Sequence, residues 1–126
     1  MSVALNHTIV NVTDRDGAAR HVAELLGLPE PTEFGPFAVV EVANGVSLDF
    51  MSQRSAVTPQ HYAFLVSEEE FDQIHGRVRA SGIDWWADPG HNRPGEINTN
   101  DGGRGLYWDG PNHHSLEIIT VPYGGG

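Results

Sequence analysis

One order of polar and apolar residues occurs twice along this chain, and that repetition limits the fold more than any other feature. Each half begins with a histidine at the head of an apolar run, His7 in the first half and His61 in the second. A polar cluster and a helical pattern follow each run, and a later apolar strand then carries one carboxylate, Asp49 or Glu117. Self-similarity of this kind indicates that one supersecondary unit is present twice. It also selects four side chains that are able to bind a metal ion.

The composition fits one domain built from two such repeats. The chain has 126 residues, of which 39% are hydrophobic, enough for one compact core but not for a second independent domain. We predict a single domain over residues 1–126, made of repeats at about 4–52 and 60–121. Cysteine is absent, which excludes disulfides and thiolate ligands, so any metal ion must be bound by nitrogen and oxygen atoms.

The charge of the chain narrows the choice of partners. The formal net charge is -10, with only 7 Lys and Arg residues. Because binding to phosphates requires clustered basic residues, we expect neither a nucleic acid nor an anionic membrane surface as a partner. No apolar run approaches about 18 residues, and no basic flank precedes an apolar segment, so a membrane span and a signal peptide are not expected. A cytoplasmic location is the resulting expectation.

The first repeat is predicted to contain one strand, one helix and three further strands. The helical pattern starts after Thr13 or Asp14, either of which suits the N-cap, and Gly27 suits the C-cap. Asn44-Gly45 is a strong signal for a tight hairpin turn between two apolar runs. The strands are predicted at 4–12, 31–34, 37–42 and 46–51.

The second repeat shows the same order. Ser67 and Glu70 have the spacing of a capping box at the start of the helix, and Gly82 closes that helix. The strands are predicted at 60–66, 83–87, 105–109 and 115–121. Residues 88–104 are rich in Gly, Pro and Asn and have no periodicity, so they form either a binding loop or a simple connection.

Four segments carry a recognisable combination of motifs: Leu5-Asn-His7-Thr-Ile-Val-Asn-Val-Thr-Asp14, Glu24-Leu-Leu-Gly-Leu28, Gly103-Arg-Gly-Leu-Tyr-Trp108 and Leu116-Glu117-Ile-Ile. Together they resemble the vicinal oxygen chelate superfamily, which includes glyoxalases, fosfomycin- and bleomycin-resistance proteins and extradiol dioxygenases. The resemblance covers residues 4–121 and implies an α+β fold, in which two βαβββ modules form a curled mixed sheet around a cleft. It also implies a homodimer, in which strands of one subunit complete the site of the other.

The resemblance implies a position for a metal ion. In that superfamily the ligands lie at the start of the first strand and on the last strand of each module, which here correspond to His7, Asp49, His61 and Glu117. Glu117 and Asp49 are then candidate catalytic residues as well. Asp49 is one methylene shorter than the residue usual at its position, so it is a ligand, a ligand through water, or a base. From the residues alone, both carboxylates could instead point outward from a half-solvated sheet.

The implied cofactor is a divalent metal ion. Two imidazoles with one carboxylate suit ferrous iron, whereas an added carboxylate opens the site to nickel, cobalt, manganese or zinc. Such an ion binds two neighbouring oxygens of a small substrate and, as a Lewis acid, stabilises the negative charge that develops between them.

Four further residues are candidates for binding a substrate. Arg104 has the donor geometry to bind an anionic group, and an ordinary surface ion pair is its alternative role. Tyr107 could present its hydroxyl to the cleft or pack its ring in the core. Trp86 and Trp108 border the 88–104 loop, and at least one tryptophan near this loop is expected in the core.

The turn before Glu117 departs from the pattern of the superfamily. The usual Asp-Pro-Asp-Gly is replaced by Gly110-Pro-Asn-His113, which predicts a positive φ at His113. Since adjacent strand residues face opposite ways, at most one of His113 and His114 could point into the cleft.

Two functional hypotheses follow. In the first, the protein is a metal-dependent enzyme that acts on a small oxygen-rich substrate by lyase, isomerase or dioxygenase chemistry. In the second, it is a metal-free protein of the bleomycin-resistance type that sequesters a drug or metabolite. The complete set of four ligands favours the enzyme, while the acidity and the tryptophans suit the binding of a cationic aromatic ligand.

Overall fold

The computed structural model describes residues 2–123 and divides the chain into two compact units, residues 1–58 and 59–126. Each unit contains one helix packed on one sheet. The predicted α+β fold is therefore confirmed, with a four-stranded sheet in the first unit and a three-stranded sheet in the second.

The first unit has the predicted strand, helix and three further strands. Its strands are β1 (His7–Val12), β2 (Thr32–Phe34), β3 (Phe37–Glu41) and β4 (Ser47–Ser52), and its helix is α1 (Arg15–Leu26). The strand order is β1-β4-β3-β2, in which β1 and β4 run parallel and the other neighbours run antiparallel.

Local signals set the ends of α1. The Asp14 side chain accepts a hydrogen bond from the backbone N–H of Gly17, so Asp14 is the N-cap. Gly27 closes the helix with φ 68°, a left-handed conformation that glycine adopts without steric cost. Alternation along β1 turns Val10 and Val12 into the core, with exposures of 2% and 0%, and leaves His7 on the other face.

The second unit has one continuous strand fewer. Its elements are β5 (His61–Leu65), α2 (Glu68–Ser81), β6 (Gly105–Asp109) and β7 (Ser115–Ile119). The order is β5-β7-β6, with β5 parallel to β7 and β6 antiparallel to it. The core joins α2 to the sheet through side chains that are all at most 3% exposed: Phe71, Ile74, Val78, Leu106, Trp108, Leu116 and Ile118.

The predicted strand at 83–87 is wrong. Of residues 83–87, only Trp86 pairs with β6, exchanging two backbone hydrogen bonds with Tyr107 of 2.9 and 2.8 Å. The neighbouring backbone groups bond within the following loop instead, Ala87 N to Arg93 O at 3.0 Å and Gly95 N to Trp85 O at 2.8 Å. The chain turns at Pro89, which has no N–H with which to continue a ladder.

Neither helix of the described part of the chain has the length and apolarity needed to cross a membrane.

The capping box of α2 is the clearest local determinant of the second unit. The backbone N–H of Glu70 bonds to the Ser67 hydroxyl at 3.1 Å, and the Glu70 carboxylate accepts from Ser67 N at 2.8 Å. We expect Ser67→Ala to lower the free energy of unfolding by about 1 kcal/mol, because it leaves one end of this reciprocal pair unmade. Urea denaturation at neutral pH measures the change. Thr58→Ser, at a position outside any helix, is the control and should have no comparable effect. If the Ser67→Ala variant is as stable as that control, the assignment of the capping box is contradicted.

Candidate metal centre

The pairing of β5, β6 and β7 places three polar side chains together on the face of the sheet that points away from α2. His61 lies opposite Ser115, and Glu117 lies opposite both Ala63 and Tyr107. Since side chains alternate along a strand, His61, Glu117 and Tyr107 share one face while Leu116 and Ile118 are buried against the helix.

His61 and Glu117 are in direct contact. The His61 Nε2 atom lies 3.0 Å from Glu117 Oε1, and Nδ1 of the same ring lies 3.0 Å from the carbonyl oxygen of Ser115. A neutral imidazole has only one N–H, which can be donated in only one of these two contacts. In the other contact, a ring nitrogen with a lone pair would face an oxygen that also carries lone pairs. A positive charge satisfies both contacts, either as a second proton on the ring or as a metal ion between the nitrogen and the carboxylate. The pair therefore fits a divalent metal ion by its chemistry.

The environment of the pair supports ligand binding. Glu117 is only 9% exposed, and a buried carboxylate needs a charged or hydrogen-bonded partner. The Tyr107 ring stacks near His61, with centroids 6.0 Å apart. Burial, together with hydrogen bonding to the Glu117 carboxylate and its charge, raises the pKa of Tyr107 well above its usual value. Tyr107 therefore remains a hydrogen-bond donor at neutral pH.

A pocket of about 470 Å³ opens over this face. The described residues that line it are His61, Ala63, Pro89, Tyr107, Ser115, Glu117 and Tyr123. Strand alternation from His61 and Glu117 could have identified Ala63 and Ser115 in the sequence. Pro89 belongs to the 88–104 segment, for which a binding loop was one of two predictions, whereas nothing in the sequence marked Tyr123.

The first unit carries the related set in the same register. His7 lies opposite Ser47 on the parallel strands β1 and β4, as His61 lies opposite Ser115 on β5 and β7. Asp49 is 8% exposed and accepts a hydrogen bond of 2.8 Å from the Ser47 hydroxyl. The exposed His7 ring has Nδ1 2.7 Å from Asn6 Oδ1. Within residues 2–123, no three His, Asp or Glu side chains are grouped closely enough to hold a metal ion.

Arg104 forms ion pairs with neighbouring carboxylates, which was the alternative to its predicted role in binding a substrate. Its Nε is 2.7 Å from Glu68 Oε1 and its Nη1 is 2.8 Å from Asp72 Oδ1. The guanidinium carbon also lies 4.4 Å from the ring centroid of Phe71. Since these partners belong to α2, the guanidinium faces the helix and ties β6 to it.

The two tryptophans have different environments. Trp108 is 0% exposed and belongs to the core, as expected for at least one tryptophan; a fully buried indole offers no surface to a substrate. Trp86 is half-buried, and its ring stacks on His91 with centroids 3.6 Å apart and an interplanar angle of 8°. His91 Nε2 in turn lies 3.4 Å from Asp109 Oδ1.

The fold and this face of the sheet define a class of protein, and comparison with known proteins identifies it. The chain belongs to the vicinal oxygen chelate superfamily. It is 66% identical to the solved structure of Oxidase ChaP-H1, with a TM-score of 0.96 over 98% of this chain and 100% of that chain. Oxidase ChaP-H2 is 60% identical to this chain, with a TM-score of 0.95 over 100% of both chains.

A more distant relative is the Glutathione transferase FosA of Serratia marcescens, 29% identical over 94% of this chain and 81% of that protein. A glyoxalase/dioxygenase from Nostoc punctiforme shares the fold, with a TM-score of 0.71 and 22% identity over 94% of this chain and 91% of that chain. No family model matches the chain.

The role of Arg104 can be tested by stability. We expect Arg104→Met to lower the free energy of unfolding more than Arg93→Met does, because it removes two ion pairs and a cation–π contact made by a guanidinium that is only 28% exposed. Metal content should not change. Arg93→Met, which breaks a pair whose side chains are 52% and 55% exposed, is the control and should have little effect. Loss of metal with unchanged stability in the Arg104 variant would contradict this role.

The raised pKa of Tyr107 predicts a loss of stability in alkali. A group whose pKa is higher in the folded than in the unfolded state stabilises the fold below the unfolded pKa, here 10.0, and loses that effect as the pH rises above it. We expect the free energy of unfolding to fall less steeply between about pH 9 and 11 in Tyr107→Phe than in the wild type. Tyr123→Phe, at a residue that is 76% exposed, should match the wild type. Equal slopes for all three proteins would refute the assignment.

Proposed function

We propose that this protein is a metal-dependent oxidase of the vicinal oxygen chelate superfamily. The observation that carries the proposal is the 3.0 Å contact between His61 Nε2 and Glu117 Oε1, two residues that line a pocket. The 66% identity to Oxidase ChaP-H1 along the whole chain supports oxidase chemistry over the lyase and isomerase alternatives.

In this proposal His61 and Glu117 bind the metal ion, and His7 supplies the third protein ligand. Asp49 is the fourth ligand or a base, since it occupies in the first unit the position that Glu117 has in the second. We propose that the protein acts as a homodimer and that the first unit of one copy contributes to the site of the other. His7 is exposed in the single chain, as a ligand shared with a second copy would be.

The metal ion would supply a Lewis acid for two adjacent substrate oxygens and, if it is iron or manganese, a redox couple. Tyr107 fixes the orientation of the Glu117 carboxylate by donating a hydrogen bond to it. Ser115 fixes the orientation of the His61 ring, because its carbonyl oxygen accepts a hydrogen bond from Nδ1. This leaves the lone pair of Nε2 directed at the site. Glu117 is also placed to accept a proton from a substrate hydroxyl group in the pocket.

The walls of the pocket indicate the kind of substrate. Tyr107, Tyr123 and Pro89 present ring surfaces, and no Lys or Arg is among the described residues that line the pocket. A volume near 470 Å³ is in the range of small-molecule sites. We therefore propose a small, mostly apolar substrate with two adjacent oxygens. This lining does not favour a phosphonate or another strongly anionic substrate, although FosA is a relative.

Metal uptake tests the proposal. The purified protein, stripped of metal by dialysis, is reconstituted separately with iron(II), manganese, cobalt, nickel and zinc, and metal content is measured by elemental mass spectrometry. We expect about one ion per chain, lost in His61→Ala and in Glu117→Ala because each removes a direct ligand. His91→Ala, a histidine of the same unit outside the pocket lining, is the matched control and should retain the metal. Uptake of no ion by the wild type would refute a metal-dependent enzyme.

Oxygen consumption separates the oxidase from a sequestering protein. With 4-nitrocatechol as a vicinal diphenol probe, the proposal predicts uptake of oxygen that requires both the metal ion and Glu117. If the probe binds equally well to metal-free protein and no oxygen is consumed with any metal, the sequestering hypothesis is favoured and the oxidase is rejected.

Mixing two inactive variants tests the shared site. His7→Ala and Glu117→Ala are unfolded together and refolded as a mixture, so that mixed dimers form. If each site combines residues of two copies, a mixed dimer contains one intact set of ligands and metal binding returns in part. If each chain forms its own site, the mixture binds no metal and the intersubunit arrangement is wrong.

A further inference from the structure

The turn that leads into β7 has an unfavourable backbone. Asn112 and His113 have φ of 57° and 61°, left-handed conformations that cost free energy for residues other than glycine. The positive φ predicted for His113 is thereby confirmed. Gly110 closes the turn through a hydrogen bond of 2.8 Å from its N–H to His114 O, and a Cβ added there would meet Leu116 Cδ1 at 2.7 Å. Such a conformation persists only where surrounding contacts hold it.

His114 provides one of those contacts. It is 3% exposed, and its Nδ1 accepts a hydrogen bond of 2.8 Å from the backbone N–H of Gln60. The next residue, Ser115, donates its N–H to the carbonyl oxygen of Gln60, also at 2.8 Å. Both backbone groups of Gln60 are therefore bonded to two consecutive residues at the start of β7.

Gln60, whose N–H and carbonyl oxygen form these two hydrogen bonds, directly precedes His61. The His114 ring also packs edge-on against Tyr62, with centroids 5.8 Å apart and an interplanar angle of 87°, so it contacts both sequence neighbours of His61. The Ser115 carbonyl oxygen then accepts from His61 Nδ1 at 3.0 Å. One short segment thus controls the backbone on each side of His61 and the orientation of its ring.

We propose that His114 is a positioning residue for His61, which it holds at the start of β5 in the orientation that directs Nε2 at Glu117. This inference rests on the proposed function, in which His61 and Glu117 bind the metal ion. His114 has its effect through Gln60 and Tyr62 and does not itself touch the metal or the substrate.

The chemistry of the contact defines which substitutions should preserve it. The Gln60 N–H needs an acceptor at the position of Nδ1, two bonds beyond Cβ. The Oδ1 atom of asparagine is the same number of bonds from the backbone and is an acceptor. Glutamine carries its acceptor one bond further out, and leucine has a comparable apolar bulk but no acceptor. A merely space-filling role would favour leucine over asparagine.

The first measurement is metal affinity of the reconstituted full-length chain, using cobalt(II) as the probe and its visible spectrum as the signature of the ligand geometry. We expect His114→Leu and His114→Gln to weaken cobalt(II) binding by about tenfold or more and to shift the spectrum, in the range found when outer-shell partners are removed. His114→Asn should keep the wild-type affinity and spectrum. His113→Gly, which relieves a positive φ without removing the acceptor, should also bind as the wild type does.

A second measurement needs no metal ion. In the metal-free protein, the His61 Nδ1–H that is donated to Ser115 O should be protected from exchange with solvent, as measured by NMR, in the wild type and in His114→Asn. In His114→Leu and His114→Gln, loss of the fixed geometry should speed the exchange of this proton. A wild type that binds no cobalt refutes the proposed function, while the exchange of the Nδ1 proton still decides the role of His114. If the His114→Leu variant fails to fold, the asparagine and glutamine variants give the decisive comparison. Equal affinity and equal exchange rates in those two would overturn the proposal.

Discussion

The proposed metal site depends on one contact, in which His61 Nε2 and Glu117 Oε1 lie 3.0 Å apart. A neutral ring has only one N–H for this contact and for the contact of Nδ1 with Ser115 O. Glu117 is almost completely buried, and Tyr107 lies opposite it on the neighbouring strand. In the proposed function, a metal ion bound by Nε2 and the carboxylate would satisfy both contacts and would face the pocket that these residues line.

Much of the fold could be predicted from the sequence because its signals are local. Asp14, Gly27, Ser67 and Gly82 set the helix ends, and each lies at the cap position expected from its side chain or its freedom of φ. The strand at 83–87 was wrong for a tertiary reason: its apolar residues suit a strand, but the backbone beyond Trp86 bonds within its own loop. A pattern of side chains does not report which partner a backbone N–H finds.

The candidate site was predictable to a smaller extent. Alternation places His61 and Glu117 on one face once the strands are known, and the parallel register of β5 and β7 brings them into contact. Tyr123 was missed because it reaches the pocket from a distant part of the chain, and Pro89 was covered only by the open prediction for the 88–104 segment. For Arg104, the donor geometry of the guanidinium suited either an anionic substrate or a surface ion pair, and the structure shows it paired with carboxylates of α2. The role of His114 also depends on a contact 54 residues away in sequence, which spacing alone could not indicate.

The most direct test of the central claim is to locate the metal ion itself. Crystals grown with cobalt or manganese would give an anomalous-scattering map, measured on both sides of the absorption edge of the metal. We predict one strong peak per chain at about 2.1 Å from His61 Nε2 and from an oxygen of Glu117, as expected for nitrogen and carboxylate ligands. A map with no peak between these two atoms, with the imidazole and carboxylate still in direct hydrogen-bond contact, would show that a proton satisfies the pair and would contradict the metal centre.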